Sequence, residues 1–411
     1  MKLAWFVLAL VPMTLAATGQ EPEVKLLDGS KMPSSAVESI VAPVMTKAEV
    51  PGVGIAIFNH GKVVYQRAYG ARDKEKGLPL TENSIMTAGS FTKVAFAYMV
   101  MQLVDEKLLD LDRPVYQYLK KPLPEYPRYQ DLAGDSRYRQ ITARMLLDHT
   151  SGFPNIRELD DDHKLNINFV PGSRYAYSGE GIKLLQLVVE TITNKPLEEL
   201  MQQRVFGPLG MTRTSMVWQT KFEDDYANGY DEWGRSLGPE KRPQADAAGS
   251  MQTTLADFAR FMQAVMQGRG LSKHSRKQML SPQIQIVSKH EFPTLSSETT
   301  EANKPIHLSY GLGWGLYQTP YGKAFFKEGH SDGFRNYTVG FDKSGTGIVI
   351  MTNSANGEGI YKILLEKLLK NTFTPIEWEG FTPYDQLPPR APLKQHTEVT
   401  LDAPTLDKYV G

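Results

Sequence analysis

Ser90 and Lys93 are the residues with which chemistry could begin. They lie in Gly89-Ser90-Phe91-Thr92-Lys93, ahead of the apolar residues Val94, Ala95, Ala97, Tyr98, Met99, Val100 and Leu103. A helix over that run puts residues three apart on one face of its first turn. A serine hydroxyl is a weak nucleophile at neutral pH and needs a base, and a lysine serves as one when burial or a nearby cation lowers its pKa. A helix N-terminus works in the same direction, and its free Ser90 N–H can meet a developing oxyanion. The other reading of these residues is a serine N-cap with a solvated lysine one turn on. No other serine in the chain has a lysine three residues later.

The elements that must position this pair can be read from the hydrophobic pattern. Val37, Ile40, Val41, Val44 and Met45 recur at helical spacing after Ser35, and two apolar runs, 52–58 and 62–69, flank Asn59-His60-Gly61 as a hairpin. Beyond the Ser90 helix, residues 142–152 read as a short helix running into a turn and 179–193, 196–205, 254–266 and 273–280 as helices, with a polar loop over 291–306. Strands return over 310–317, 323–328, 334–341 and 347–352, and a helix over 358–369 closes the pattern. Short turns between successive strands require antiparallel pairing. The expected fold is therefore α+β, an α/β sandwich whose antiparallel sheet is built from both ends of the chain, with a mainly helical region inserted.

The implied organisation is a flexible leader over 18–34, one domain over 35–370 and an extended tail over 371–411. Within the domain, 35–88 and 305–370 form the sheet part and 89–304 the helical part. Residues 1–17 read as a signal peptide: Lys2, an apolar stretch over 3–15, then Ala16 and Ala17. Export to the periplasm or beyond follows, the alternative being a membrane anchor, although the stretch is short for a stable span. Lysine plus arginine and aspartate plus glutamate both number 46, which gives no footprint for nucleic acid. With no cysteine, stability comes from the core and not from disulfides.

Taken together, several segments resemble the serine β-lactamase and penicillin-binding-protein superfamily, in its class C-like and esterase-like branch. They are Ser90 to Lys93, Leu146-Leu147-Asp148-His149-Thr150-Ser151-Gly152, Pro171 to Ser178, Ala248-Gly249-Ser250-Met251, Tyr310-Gly311-Leu312-Gly313-Trp314 and Gly329-His330-Ser331-Asp332-Gly333-Phe334. The resemblance implies a β-lactamase-like fold and an acyl-enzyme through Ser90. Lys93 would take its proton, and Tyr177 would relay one to the leaving group. A neighbouring cation, Lys93 foremost, would have to lower the tyrosine pKa for it to act as a base. The alternative for Tyr177 is a core aromatic beside Tyr175. The resemblance also implies an oxyanion hole from the backbone N–H groups of Ser90 and a residue near Gly333.

Two positions depart from the family pattern. Its Tyr-x-Asn triplet reads Tyr177-Ser178-Gly179, which removes a side-chain amide from the substrate site. Its Lys-Thr-Gly segment falls on His330-Ser331-Asp332, where a carboxylate would repel a substrate carboxylate. His330 and Asp332, two apart on a strand, would share a face as a His-carboxylate pair or, less economically, as two metal ligands. No cofactor or metal is expected, and His149 reads as the brace of a turn. The substrate would be a β-lactam, a D-amino-acid peptide or an ester, with a carboxylesterase as the alternative within the fold. A non-catalytic cell-wall-binding protein is the alternative of another kind.

Overall fold

The computed structural model describes residues 21–388, in which one large sheet lies between two helical layers. β1 (Glu23–Lys25) and β2 (Lys31–Pro33) pair as a small antiparallel ribbon. Val24 and Leu26 are buried in the apolar layer behind it, so the expected flexible leader is, over its described part, anchored structure. α1 (Ser35–Lys47) buries Val37, Val41 and Val44, the helical stripe read from the sequence. β3 (Gly52–Asn59) and β4 (Lys62–Asp73) form the expected hairpin, whose turn places His60 and Gly61 both at positive φ.

The inserted region carries α2 (Phe91–Asp105), α3 (Gly179–Thr193) and α4 (Leu255–Gln267). The chain then returns as a meander: β5 (Gly315–Thr319), β6 (Gly322–Ser331), β7 (Phe334–Phe341) and β8 (Gly347–Thr352), followed by α5 (Tyr361–Leu369). β8 pairs with β3, so the two ends of the chain meet in mid-sheet. Two-residue strands extend the edges, giving the sheet nine strands among the described residues, every neighbour antiparallel.

Period two along β3 decides the layers. Val53, Ile55 and Ile57 face α1 and α5, whereas Ala56 and Phe58 face α2 and α4. A sheet covered on both faces is apolar along its whole central strand, and β3 is buried throughout. The segment after α5 was expected on the surface. Ile376, Trp378 and Phe381 instead pack into the α5 layer, so this segment anchors to the core through those side chains, while residues 385–388 are exposed. The signal peptide expected over 1–17, the first residues of the leader and the remainder of the tail lie outside the described residues.

α2 is the innermost helix, with every residue from Phe91 to Met101 buried. A helix apolar on all sides is the expected sequence for that place. Lys93 is the one charged residue within that buried run, so the fold carries an ammonium group into the core.

Candidate active site

Ser90 is held by contacts on both sides of it. Gly89 adopts φ +55° and lies flat against β6: a Cβ on it would sit 2.4 Å from the His330 carbonyl oxygen. The Asn336 amide of β7 donates to Thr87 O at 3.0 Å, and Ala88 N donates to Met251 O at 2.9 Å. Thr92 Oγ1 donates to Gly89 O at 2.6 Å. Ser90 stands at the N-cap of α2, yet its side chain caps nothing. Lys93 Nζ donates to Ser90 Oγ at 2.9 Å instead, and to the Ala248 carbonyl at 2.5 Å. The solvated-lysine reading therefore gives way, because Lys93 is only 3% exposed. Burial, reinforced by the Lys327 ammonium, pushes Lys93 down to about 7.

Tyr177 reaches the pair from the loop before α3. Ser178 accepts from Gly181 N at 2.9 Å and so caps α3, while its own N–H donates to His149 Nδ1 at 3.2 Å. The His149 ring lies 4.5 Å from that of Tyr177, buried and held neutral by desolvation, consistent with a brace. Two ammonium groups flank the Tyr177 ring, Lys93 at 4.9 Å and Lys327 at 4.5 Å from its centroid. They do not prevail on its acidity. Burial, then Glu328, pushes Tyr177 well above the usual phenol value, against a partial downward pull from nearby Ser90. Its hydroxyl is buried and makes no well-formed hydrogen bond. Tyr177 is thus a neutral phenol at neutral pH.

The strand edge differs from expectation. β5 pairs with β6 only as far as Phe326, whereas β7 pairs with it through Ser331, so residues 327–331 offer a free edge. The side chain of this edge beside Tyr177 is Lys327, fully buried and ion-paired with Glu328. His330 and Ser331 do line the cleft, Ser331 Oγ donating to Glu240. Asp332 is exposed in the turn after β6, and Gly333, at φ +70°, packs against Gly229 and Tyr230; neither lines the cleft. The anticipated His330–Asp332 pair does not form, because β6 ends at Ser331 and the alternation stops there. The carboxylate nearest His330 is Glu358, at 3.9 Å from Nε2. Burial and Arg335 push His330 down to about 3, so it adds no charge to the site.

Ser90, Lys93, Tyr177 and Gly179 converge with this edge on a cleft of about 980 Å³. Its wall includes Glu328, which belongs to a buried trio with Glu291 and Glu379 whose carboxylate oxygens lie within 4.8 Å of one another. Burial and Glu328 push both Glu291 and Glu379 up. Tyr175 donates to Glu291 at 3.0 Å and Tyr337 to Glu379 at 2.6 Å. A metal ion here would compete with the Lys327 ammonium, which is already ion-paired with Glu328.

A family model described as Beta-lactamase matches residues 37–369. The chain belongs to the beta-lactamase family. It is 26% identical over 308 residues to a beta-lactamase of Pseudomonas fluorescens, covering 72% of this chain and 77% of that protein. It is 27% identical over 229 residues to esterase EstB of Burkholderia gladioli, covering 49% of this chain and 56% of that protein. Among solved structures, the octameric penicillin-binding protein homologue from Pyrococcus abyssi superposes with a TM-score of 0.67 at 24% identity, over 83% of this chain and 80% of that one. That likeness establishes the fold, and no described helix is long and apolar enough to cross a membrane.

Two residues at this beta-lactamase-family site escaped the sequence reading. Lys327 was available as Lys327-Glu328-Gly329, a Lys-x-Gly triplet three residues before His330 on the same strand. Asn155, which lines the cleft beside Gly179, had no signal, since it lies 24 residues from its hydrogen-bond partner.

Proposed function

We propose that this chain is an exported serine hydrolase that forms an acyl-enzyme through Ser90 on an amide or ester. The observation that carries the reading is the 2.9 Å contact from Lys93 Nζ to Ser90 Oγ, with Lys93 pushed down to about 7. A neutral Lys93 amine takes the Oγ proton as Oγ attacks the substrate carbonyl carbon, and the carbonyl π pair moves onto oxygen. The Ser90 N–H, which makes no other hydrogen bond among the described residues, faces that oxyanion. The second donor in this reading is the His330 N–H on the free edge, whose nitrogen lies against Gly89, in place of a group near Gly333. Collapse breaks the bond to the leaving group, which receives the Tyr177 hydroxyl proton. The Lys93 ammonium restores that proton, and water later repeats the attack with Lys93 as base.

A second reading, a carboxylesterase acting on uncharged esters, is favoured by Glu328. Its carboxylate neutralises Lys327 at the cleft wall and would repel a substrate carboxylate there, the role the sequence had given to Asp332. Export rests on Lys2 and the apolar residues 3–15. Intact-mass spectrometry after treatment with a fluorophosphonate tests the central claim. One adduct on the wild type that is lost in Ser90→Ala supports the hydrolase, and absence of any adduct would favour a non-catalytic binder.

A further inference from the structure

Gly179 leaves a vacancy on the cleft wall that another residue fills. Ser178 is extended, at φ −140° and ψ 110°, so the side-chain directions of Tyr177 and Gly179 fall on the same side of the chain. Tyr177 points into the cleft, and a side chain at Gly179 would follow it. A Cβ at Gly179 would lie 2.8 Å from the Asn155 carbonyl oxygen, 3.2 Å from Asn155 Oδ1 and 3.7 Å from the Ala248 Cβ. The space is thus taken by Asn155, beside the residue whose carbonyl holds Lys93.

The orientation of the Asn155 amide follows from its partner. Gly179 N–H donates to Asn155 Oδ1 at 3.0 Å, which makes that atom the acceptor and leaves Nδ2 with two donors. Among the described residues Nδ2 donates to nothing, while the residue is half-buried in the cleft lining. A donor fixed in direction and left without a protein acceptor suits a substrate carbonyl.

We propose that Asn155 is a substrate-binding residue, its Nδ2 donating to an amide carbonyl on the acyl side of the substrate, so that acylamino esters and amides are preferred over plain alkanoyl ones. This rests on Ser90 acting as the nucleophile. The absence of an asparagine at position 179 then does not remove the amide from the site; a different loop supplies it.

The test compares p-nitrophenyl N-acetylglycinate with p-nitrophenyl pentanoate, which share a leaving group and chain length and differ in the amide. Wild type should favour the first in kcat/KM. Asn155→Asp keeps an oxygen for Gly179 N–H and loses the donor, and should lower the ratio of the two constants by about tenfold, the worth of one hydrogen bond. An added charge acting only on Lys93 would shift the pH profiles of both esters together and leave the ratio alone. Asn155→Ala provides the same ratio if the aspartate variant folds poorly. A wild type without preference, or a ratio unchanged in both variants, overturns the assignment of Asn155. Failure of a fluorophosphonate to label Ser90 would instead overturn the catalytic reading, and the proposal with it.

Discussion

Gly89 and His330 lie back to back: the backbone of β6 occupies the space that any side chain at position 89 would need, 2.4 to 2.7 Å from where its Cβ would be. This contact sets the distance between the nucleophile and the strand edge. Gly89→Ala therefore meets both a positive φ of +55° and a backbone clash. Left-handed strain on a non-glycine residue costs on the order of 1–3 kcal/mol. The variant should show a lowered urea midpoint and lose fluorophosphonate labelling. Wild-type stability with full labelling would contradict this geometry.

Lys93 acts as a base only when neutral, and its pKa of about 7 makes acylation depend on pH. The rate of labelling by a fluorophosphonate should climb about tenfold per unit below pH 7 and level off above it, because the amine fraction rises with pH. Lys93→Arg keeps the charge and cannot release the proton, so labelling should be lost at every pH. A rate that falls through pH 7, or an active arginine variant, would exclude Lys93 as the base.

Local spacing made the nucleophile pair legible, because a three-residue separation on a helix is settled by the helix itself. The hairpin around His60 and the meander from Gly315 to Thr352 were legible for the same reason: turns and alternation are local. Lys327 was missed because a lysine beside Phe325 and Phe326 reads as a strand residue turned to solvent until Tyr177, distant in sequence, is packed against it. Asn155 and Gly179 meet only through tertiary packing. Trp378 and Phe381 looked like tail residues, since nothing in their neighbourhood announces the sheet that covers them. The register at His330 was misread for a physical reason as well: β6 ends at Ser331, and an alternation argument fails past the end of its strand.

Tyr177 is held as a phenol, so its removal should matter most where the leaving group needs a proton. Tyr177→Phe should reduce kcat by about 10² to 10⁴ for an amide, the usual range for a lost general acid. The loss should be far smaller for a p-nitrophenyl ester, whose leaving group departs as an anion. Stability should hold or rise, because the buried hydroxyl has no well-formed partner to lose. Equal losses on both substrates would remove Tyr177 from the proton path.

Glu291 and Glu379 supply a pH dependence of stability that is separate from catalysis. Burial raises both carboxyls above the ordinary 4.5, so the folded chain keeps protons that the unfolded chain releases as pH rises from that value. Their stabilising contribution is complete below pH 4.5 and is lost as pH climbs through the folded pKa, about 8 for Glu291. Lys93 has the opposite sign, since its folded pKa is lowered, and it acts only above about 7. Between pH 5 and 7 two histidines also contribute, because His149 and His330 are held neutral in the fold and gain protons below about 6.5 when unfolded, so their stability rises with pH and opposes the loss from the acids. Glu291 is therefore read as a difference: Glu291→Gln, which keeps an oxygen for the Tyr175 hydroxyl while removing the titration, should give a urea midpoint whose slope from pH 5 to 7 is more positive than that of the wild type. An unchanged slope in that variant would mean that Glu291 is already ionised in the folded protein, with Lys327 and not a proton compensating its charge.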